Sequence, residues 1–192
     1  MTRAEVERAF TAHKDAVYRF AWRMAPGAAD DIAQEVFVRL LRGQARFDEA
    51  RGSLRGFLLG IARNLALQHL KSNARWELID EEQFVASPFP VDGFDIGELV
   101  GRAVRALPPL QRDVFILAEY EELSLEEIAR AVDTNVGAVK SRLHRARENL
   151  RRMLAPLRSG SASRVAERAD ASSAARRSTK ADRPAGLKEC GE

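Results

Sequence analysis

The chain is poor in most of what specialised chemistry needs. One cysteine, Cys190, stands in 192 residues. No disulfide can form within a monomer, and the composition fits a reducing compartment. Aromatic residues make up 7% of the chain, so any core is built mainly of Leu, Val, Ala and Ile. No apolar run approaches the ~20 residues that span a bilayer. The first residues, Met1 to Glu7, lack the apolar stretch of a secretory signal. The expectation is a soluble, cytoplasmic protein with no membrane insertion. No Gly-rich phosphate loop or nucleophile elbow appears. His13, His69 and His144 fall on three separate helical segments without the spacing of a metal site. No catalytic residue, metal or cofactor is therefore expected, and catalysis is set aside.

Charge is what the chain has in plenty. Charged residues make up 31% of it, yet the formal net charge is only +3. The balance is segmented. Residues 1–74 carry 12 Lys/Arg against 8 Asp/Glu, residues 75–100 carry 1 against 7, and residues 101–133 carry 4 against 7. Residues 134–154 then carry 6 against 1, and residues 155–192 carry 8 against 5. Basic blocks alternating with acidic ones imply several surfaces that meet different partners.

Apolar residues recur at three- and four-residue steps over 4–24, with Val6, Phe10, Val17 and Phe20, which predicts a helix. Pro26-Gly27 ends it. A second helix is predicted over 29–42, with Asp30 and Asp31 at its positive dipole end and Gly43 closing it. Ser53 is the expected cap of a third, Leu54 to Lys71, whose apolar stripe is Phe57, Leu58, Ile61, Leu65 and Leu70. Residues 72–100 hold Pro88, Pro90, Gly93 and Gly97 among many carboxylates and read as a linker. Helices resume at Val100 to Leu107 and, after Pro108-Pro109, at Leu110 to Tyr120. Ser124, with Glu127 three residues on, forms a capping box for Leu125 to Val132. Asn135 caps a last helix from Val136 to about Leu154. Beyond Pro156 the large apolar residues are Leu157, Val165 and Leu187, too few to offset ordering entropy, and this tail is expected to be disordered.

The segment Leu125 to Arg147 has the pattern of a helix-turn-helix. Ile128, Ala129 and Val132 would face Val139 and Leu143, which pushes the second helix outward toward a DNA major groove. Its outer surface carries Lys140, Ser141, Arg142, His144, Arg145 and Arg147. Arginine can grip guanine in a bidentate manner, and lysine and serine can hold bases or phosphates. At 100° per residue Ser141 and Arg145 share one side and Lys140 and His144 an adjacent one. Arg142 falls beside the inner face. Ser141 and Arg145 are thus the expected base readers, with Arg142 and Arg147 on phosphate.

Three runs carry a family resemblance. Leu107-Pro108-Pro109-Leu110-Gln111-Arg112-Asp113-Val114-Phe115, Leu123-Ser124-Leu125-Glu126-Glu127-Ile128-Ala129 and Val136 through Arg147 together resemble region 4 of the extracytoplasmic-function (ECF) sigma factors of the sigma-70 family. Asp30 to Leu40 resembles region 2.2, and Leu54 to Ala66 resembles regions 2.3 and 2.4. The resemblance covers roughly residues 5–75 and 98–154. It implies an all-α chain of two small helical domains, a region 2 bundle (1–74) and a region 4 helix-turn-helix (101–154). A flexible acidic linker (75–100) would join them, and a basic disordered tail (155–192) would follow. It also implies binding to core RNA polymerase, at the β′ clamp helices through Asp31, Gln34 and Glu35 and at the β flap. Arg55, Arg63 and Asn64 would serve −10 DNA, with the loop Gln44 to Ser53 capturing a flipped base. Residues Lys140, Ser141, Arg142, His144, Arg145 and Arg147 would serve −35 DNA. An anti-sigma factor is a further implied partner. The two elements lie about 25 base pairs apart by name, or ~85 Å, and 26 linker residues reach ~90 Å at full extension. The chain departs from the family with Phe57 where Trp is common, Ala138 where Thr is common, and Asp133 where Gly is common. The rival reading is a stand-alone helix-turn-helix regulator, which would need a dimer or ligand domain in residues 1–100; no such pattern is evident there.

Overall fold

The computed structural model describes residues 2–72, 84, 86–88 and 95–157, excluding the side chain of Arg51. Among these residues the secondary structure is entirely helical. The predicted tail disorder (beyond 157), Cys190 and most of the predicted linker lie outside them. The described residues up to Leu154 form one compact unit.

Three helices build the N-terminal half: α1 Arg3–Met24, α2 Ala29–Leu41 and α3 Leu54–Ser72. Helix α1 opens on a capping box, in which Thr2 Oγ1 accepts from the Glu5 amide and Glu5 accepts from the Thr2 amide at 2.6 Å. A 3₁₀ turn at Pro26–Ala28 then reverses the chain into α2. The apolar positions of α2, Ile32, Val36, Phe37 and Leu40, are all buried, as their spacing requires. Ser53 starts α3 as expected: its Oγ accepts from the Gly56 amide at 3.2 Å.

The C-terminal half holds α4 Ile96–Ala106, α5 Pro109–Glu119, α6 Leu125–Ala131 and α7 Val136–Met153. Helix α4 starts four residues before the expected Val100. Asp95 caps it by accepting from the Gly97 amide at 2.9 Å; an aspartate cap outweighs a glycine that by itself reads as loop. Pro109 occupies the first turn of α5, where its missing N–H costs nothing. The Ser124–Glu127 capping box is present. Asn135 Oδ1 accepts from the Ala138 amide at 2.8 Å and starts α7. Between α6 and α7, Asp133 takes φ 52°, a left-handed conformation that favours glycine and that a short polar side chain tolerates. Ile128, Ala129, Val132, Val139 and Leu143 are each at most 6% exposed, so the helix-turn-helix closes on its predicted inner face.

One apolar core runs from Val6 through to Met153, so the two halves share it. Helix α1 packs on α5 and α4, and α3 packs on α6. Gly60 lets α3 and α6 approach. A Cβ on it would sit 3.0 Å from the carbonyl oxygen of Ala131. The predicted single stripe of α3 is therefore too narrow a reading. Leu58 is buried, Phe57, Ile61, Leu65 and Leu70 are partly buried, and Gly56, Leu59, Gly60, Ala62, Arg63 and Ala66 are buried as well. A helix held between two partners buries most of its circumference.

Candidate nucleic-acid interface

Two helices carry the residues suited to DNA, and the fold treats them differently. On α7, Lys140, Ser141, His144 and Arg147 are exposed, while Arg142 and Arg145 are half-buried. Helical phase explains the order, because the inner positions Val139, Leu143, Ala146 and Leu150 pull their neighbours toward the core. Arg147 reaches back to α5, donating through Nε and Nη2 to Glu119 Oε1 at 3.1 and 2.5 Å. Arg142 lies near enough to Asp113 to act on its charge. Ser141 and Lys140 remain on the outward side.

Helix α3 presents its candidates to protein instead. Arg63 is 8% exposed. Its Nε donates to Asp113 Oδ2 of α5 at 2.5 Å, and its Nη1 donates to the side chain of Asn64 at 3.2 Å. Asp113 is fully buried, and burial pushes its carboxyl above the usual carboxylate range against the pull of Arg63. About two turns upstream, Arg55 Nη2 donates to Glu121 Oε2 at 2.5 Å. Glu121 is itself buried, and its other oxygen, Oε1, has no hydrogen-bond partner. Arg55 also helps hold the His13 imidazole below its usual range, although burial is the larger cause. At the start of α3, Ser53 Oγ donates to Glu127 Oε1 at 2.8 Å. That bond and the Ser124 amide hold the Glu127 carboxyl below its ordinary value. Asn64 stays exposed. It lines a cavity of about 390 Å³ between the halves, with Arg46, Phe47, Ser53, Phe57 and Glu127.

The third set lies on α2. Asp31 and Gln34 are exposed, and Glu35 is half-exposed in an ion pair with Arg39 at 2.9 Å. Three and four residues apart, they share one outward face.

The sequence reading missed a run of buried polar groups, of which Arg112 and Asp113 join the halves. Gln111, Arg112 and Asp113 are three consecutive polar residues in an apolar helix, and all three are buried. Arg112 donates to the carbonyl of Met24 at 2.8 Å, to that of Leu107, and to that of Arg105. Burial lowers its pKa to about 10, so it stays charged at neutral pH. Gln111 accepts from Asn149 Nδ2 at 2.9 Å, and Asn149 Oδ1 accepts from the Ala86 amide. A run of buried polar residues signals partners elsewhere in the chain. The glycines at 56 and 60, four apart on one face, were a second signal.

An all-helical chain with a capped helix-turn-helix behind a three-helix bundle defines a DNA-binding protein class with a second working half. Comparison with known proteins agrees. Residues 9–76 match the model for Sigma-70 region 2, and residues 97–150 match that for Sigma-70, region 4. The ECF RNA polymerase sigma factor SigW of Bacillus subtilis is 32% identical over 162 residues, which cover 76% of this chain and 86% of SigW. SigE of Mycolicibacterium smegmatis is 33% identical over 153 residues, covering 74% of this chain but 59% of SigE. In fold, the chain is similar to the sigma factor RpoE of Bartonella quintana, solved in complex with the anti-sigma factor NepR. The TM-score is 0.62 at 23% identity, covering 78% of this chain and 96% of that one. The chain belongs to the ECF sigma factors of the sigma-70 family. A stand-alone regulator is not favoured, because the region 2 match occupies the residues such a protein would need for a dimer or ligand domain.

Proposed function

We propose that the chain binds core RNA polymerase and directs it to promoters by recognising −35 and −10 elements, without catalysis of its own. The observation that carries this is the coexistence, in one chain, of a capped helix-turn-helix with an outward basic face and a second helix bearing Arg55, Arg63 and Asn64. On this reading residues 1–74 bind polymerase and −10 DNA, 75–100 are the acidic linker, 101–154 bind −35 DNA, and 155–192 are a basic tail. Asp31, Gln34 and Glu35 meet the β′ clamp helices, and the C-terminal half meets the β flap. Lys140, Ser141, Arg142, His144, Arg145 and Arg147 serve the −35 element, with Ser141 and Arg145 nearest the bases. Arg55, Arg63 and Asn64 serve the −10 element. An anti-sigma factor is a further partner, since the structural neighbour was solved with one, and the place of action is the cytoplasm.

The experiment is run-off transcription with core polymerase on sheared genomic DNA, with sequencing of the bound fragments. Discrete start sites that share two spaced elements are expected. Transcription no more selective than that of core polymerase alone would overturn the reading. Asp31→Arg with Glu35→Arg should lose co-purification with core polymerase while the helical content stays unchanged. Asn64→Ala should impair strand opening more than initial docking, as permanganate footprints would record.

A further inference from the structure

We propose that Asn149 is a positioning residue for promoter spacing: with Gln111 it pins the linker at Ala86 to the C-terminal half, so that residues 73–83 alone set how far apart the −10 and −35 elements can lie. The inference rests on the functional reading above. It divides the linker of that reading into a spanning part and a pinned part.

Asn149 lies on the inner face of α7 with Ala146, Leu150 and Met153, and it is 3% exposed. A side-chain amide there must be paired, because a buried polar group without a partner keeps its whole desolvation cost. Both ends of this amide are paired. Nδ2 donates to Gln111 Oε1 of α5 at 2.9 Å, and Oδ1 accepts from the backbone N–H of Ala86 at 3.3 Å. Gln111 and Ala86 are buried as well. Phe84, two residues earlier, is partly buried against the apolar core. Helices α5 and α7 thus carry a built acceptor for one amide of the linker, on a face that is otherwise apolar. The pin uses no residue of the N-terminal helices. Past it the chain is fixed again, where Asp95 caps α4.

Chain length then decides the reach. From Ser72, the end of α3, to Asp95 the chain could extend ~80 Å, but from Ser72 to Phe84 only ~40 Å. A half of about 70 residues has a radius of gyration of ~11 Å and is roughly 28 Å across. Two such halves and a pinned linker reach ~95 Å, only ~10 Å (about three base pairs) beyond the ~85 Å between the elements. Unpinned, the reach would be ~135 Å, and the chain would place no limit on spacing. The pin turns a slack connection into a taut one.

The test uses the full chain with core polymerase, on templates that carry the elements found by run-off transcription. The spacer is lengthened in single base-pair steps. Every chain meets the same templates, so the rotation of one element about the other cancels between chains. About six Gly/Ser residues, worth ~20 Å, are inserted either between Asp80 and Glu81, before the pin, or between Asp92 and Gly93, after it. Initiation by the parent should fall roughly tenfold or more within about five added base pairs, since a tether that cannot span two sites gives almost no effective concentration at the second. The first insertion should restore initiation at those spacers, and the second should leave the parent's profile unchanged. Asn149→Ala should extend the tolerated spacers with no insertion. So should Ala86→Pro with Phe84→Ser, a pair that leaves both helices untouched and serves where Asn149→Ala does not fold. Insertions that act alike, or pin variants that keep the parent's profile, overturn the proposal. Hydrogen exchange at the Ala86 amide reads the pin in the free chain. It should be roughly tenfold faster or more in Asn149→Ala, and equal exchange overturns the pin whatever transcription shows. A parent that initiates selectively on no template, even with the Ala86 amide protected, overturns the functional reading and the spacing role with it.

Discussion

Helices α3 and α7 carry comparable donors and face opposite fates. On α7 the inner face is apolar, so its charged residues stay outside, and four of the six candidate −35 residues are exposed. On α3 the small residue Gly60 invites a second helix to pack, and Arg63 is drawn inside with Asp113. The difference shows that a basic residue is placed by what its neighbours allow to approach, not by its own preference for water. A glycine-lined face brings backbone close, and a charge beside it must then find a partner.

The largest effect should come from breaking the buried pair. Asp113→Leu leaves Arg63 buried without its carboxylate and should cost about 3–5 kcal/mol. Arg63→Met with Asp113→Leu replaces the pair by apolar groups and should recover most of that loss. Urea unfolding of the parent, both single variants and the double variant gives the coupling directly. Additive losses would show that the two residues do not act as a pair, and α3 would then differ from α7 only in exposure.

Next in size is the reading of bases. Arg145→Ala should reduce discrimination at one or two upstream positions by ~1–3 kcal/mol. Arg142→Ala, at a half-buried position beside the inner face, should weaken all sequences about equally and lower the salt slope by about one. Binding to a library of upstream-element variants separates the two. An even loss across the library for Arg145→Ala would remove its assignment to bases.

Much of the fold was legible because its signals are local. The capping box at Ser124 and the caps Ser53 and Asn135 are read from a few adjacent residues, as is the spacing of Ile128, Ala129 and Val132. Each needs only helical geometry. The start of α4 was misread because Gly97 outweighed Asp95. The contact between the halves was not legible, since Arg63 and Asp113 are fifty residues apart and no periodicity links them. Family resemblance named Arg55, Arg63 and Asn64 by position, and it carried no information on what they touch in the free chain. The polar run Gln111-Arg112-Asp113 and the Gly56–Gly60 spacing were the only traces of the contact in the sequence.

The smallest effect lies in Glu127, which belongs to both sides of the comparison. It completes the cap of α6 by accepting from the Ser124 amide at 3.1 Å, and it accepts from Ser53 of the α3 side at 2.8 Å. Both bonds favour the carboxylate, so its pKa in the folded chain lies below the ordinary 4.5. A depressed carboxyl stabilises above its unfolded value and loses that contribution as pH falls through the folded value. Asp113 has the opposite sign. Its carboxyl is raised by burial, so protonation favours the folded form, and its contribution declines as pH rises through its raised value. The Asp113 share should therefore grow as pH falls through its raised value, while the Glu127 share stays whole down to about 4.5 and falls only below it. Glu127→Gln removes the first and leaves the second. The parent's urea midpoint should drop on acidification by more than that of Glu127→Gln, and the gap between them should narrow toward low pH. Ser53→Ala divides the remainder. If the Glu127 shift comes from the cap alone, Ser53→Ala will follow the parent's profile. If the Ser53 bond contributes, it will fall between the parent and Glu127→Gln.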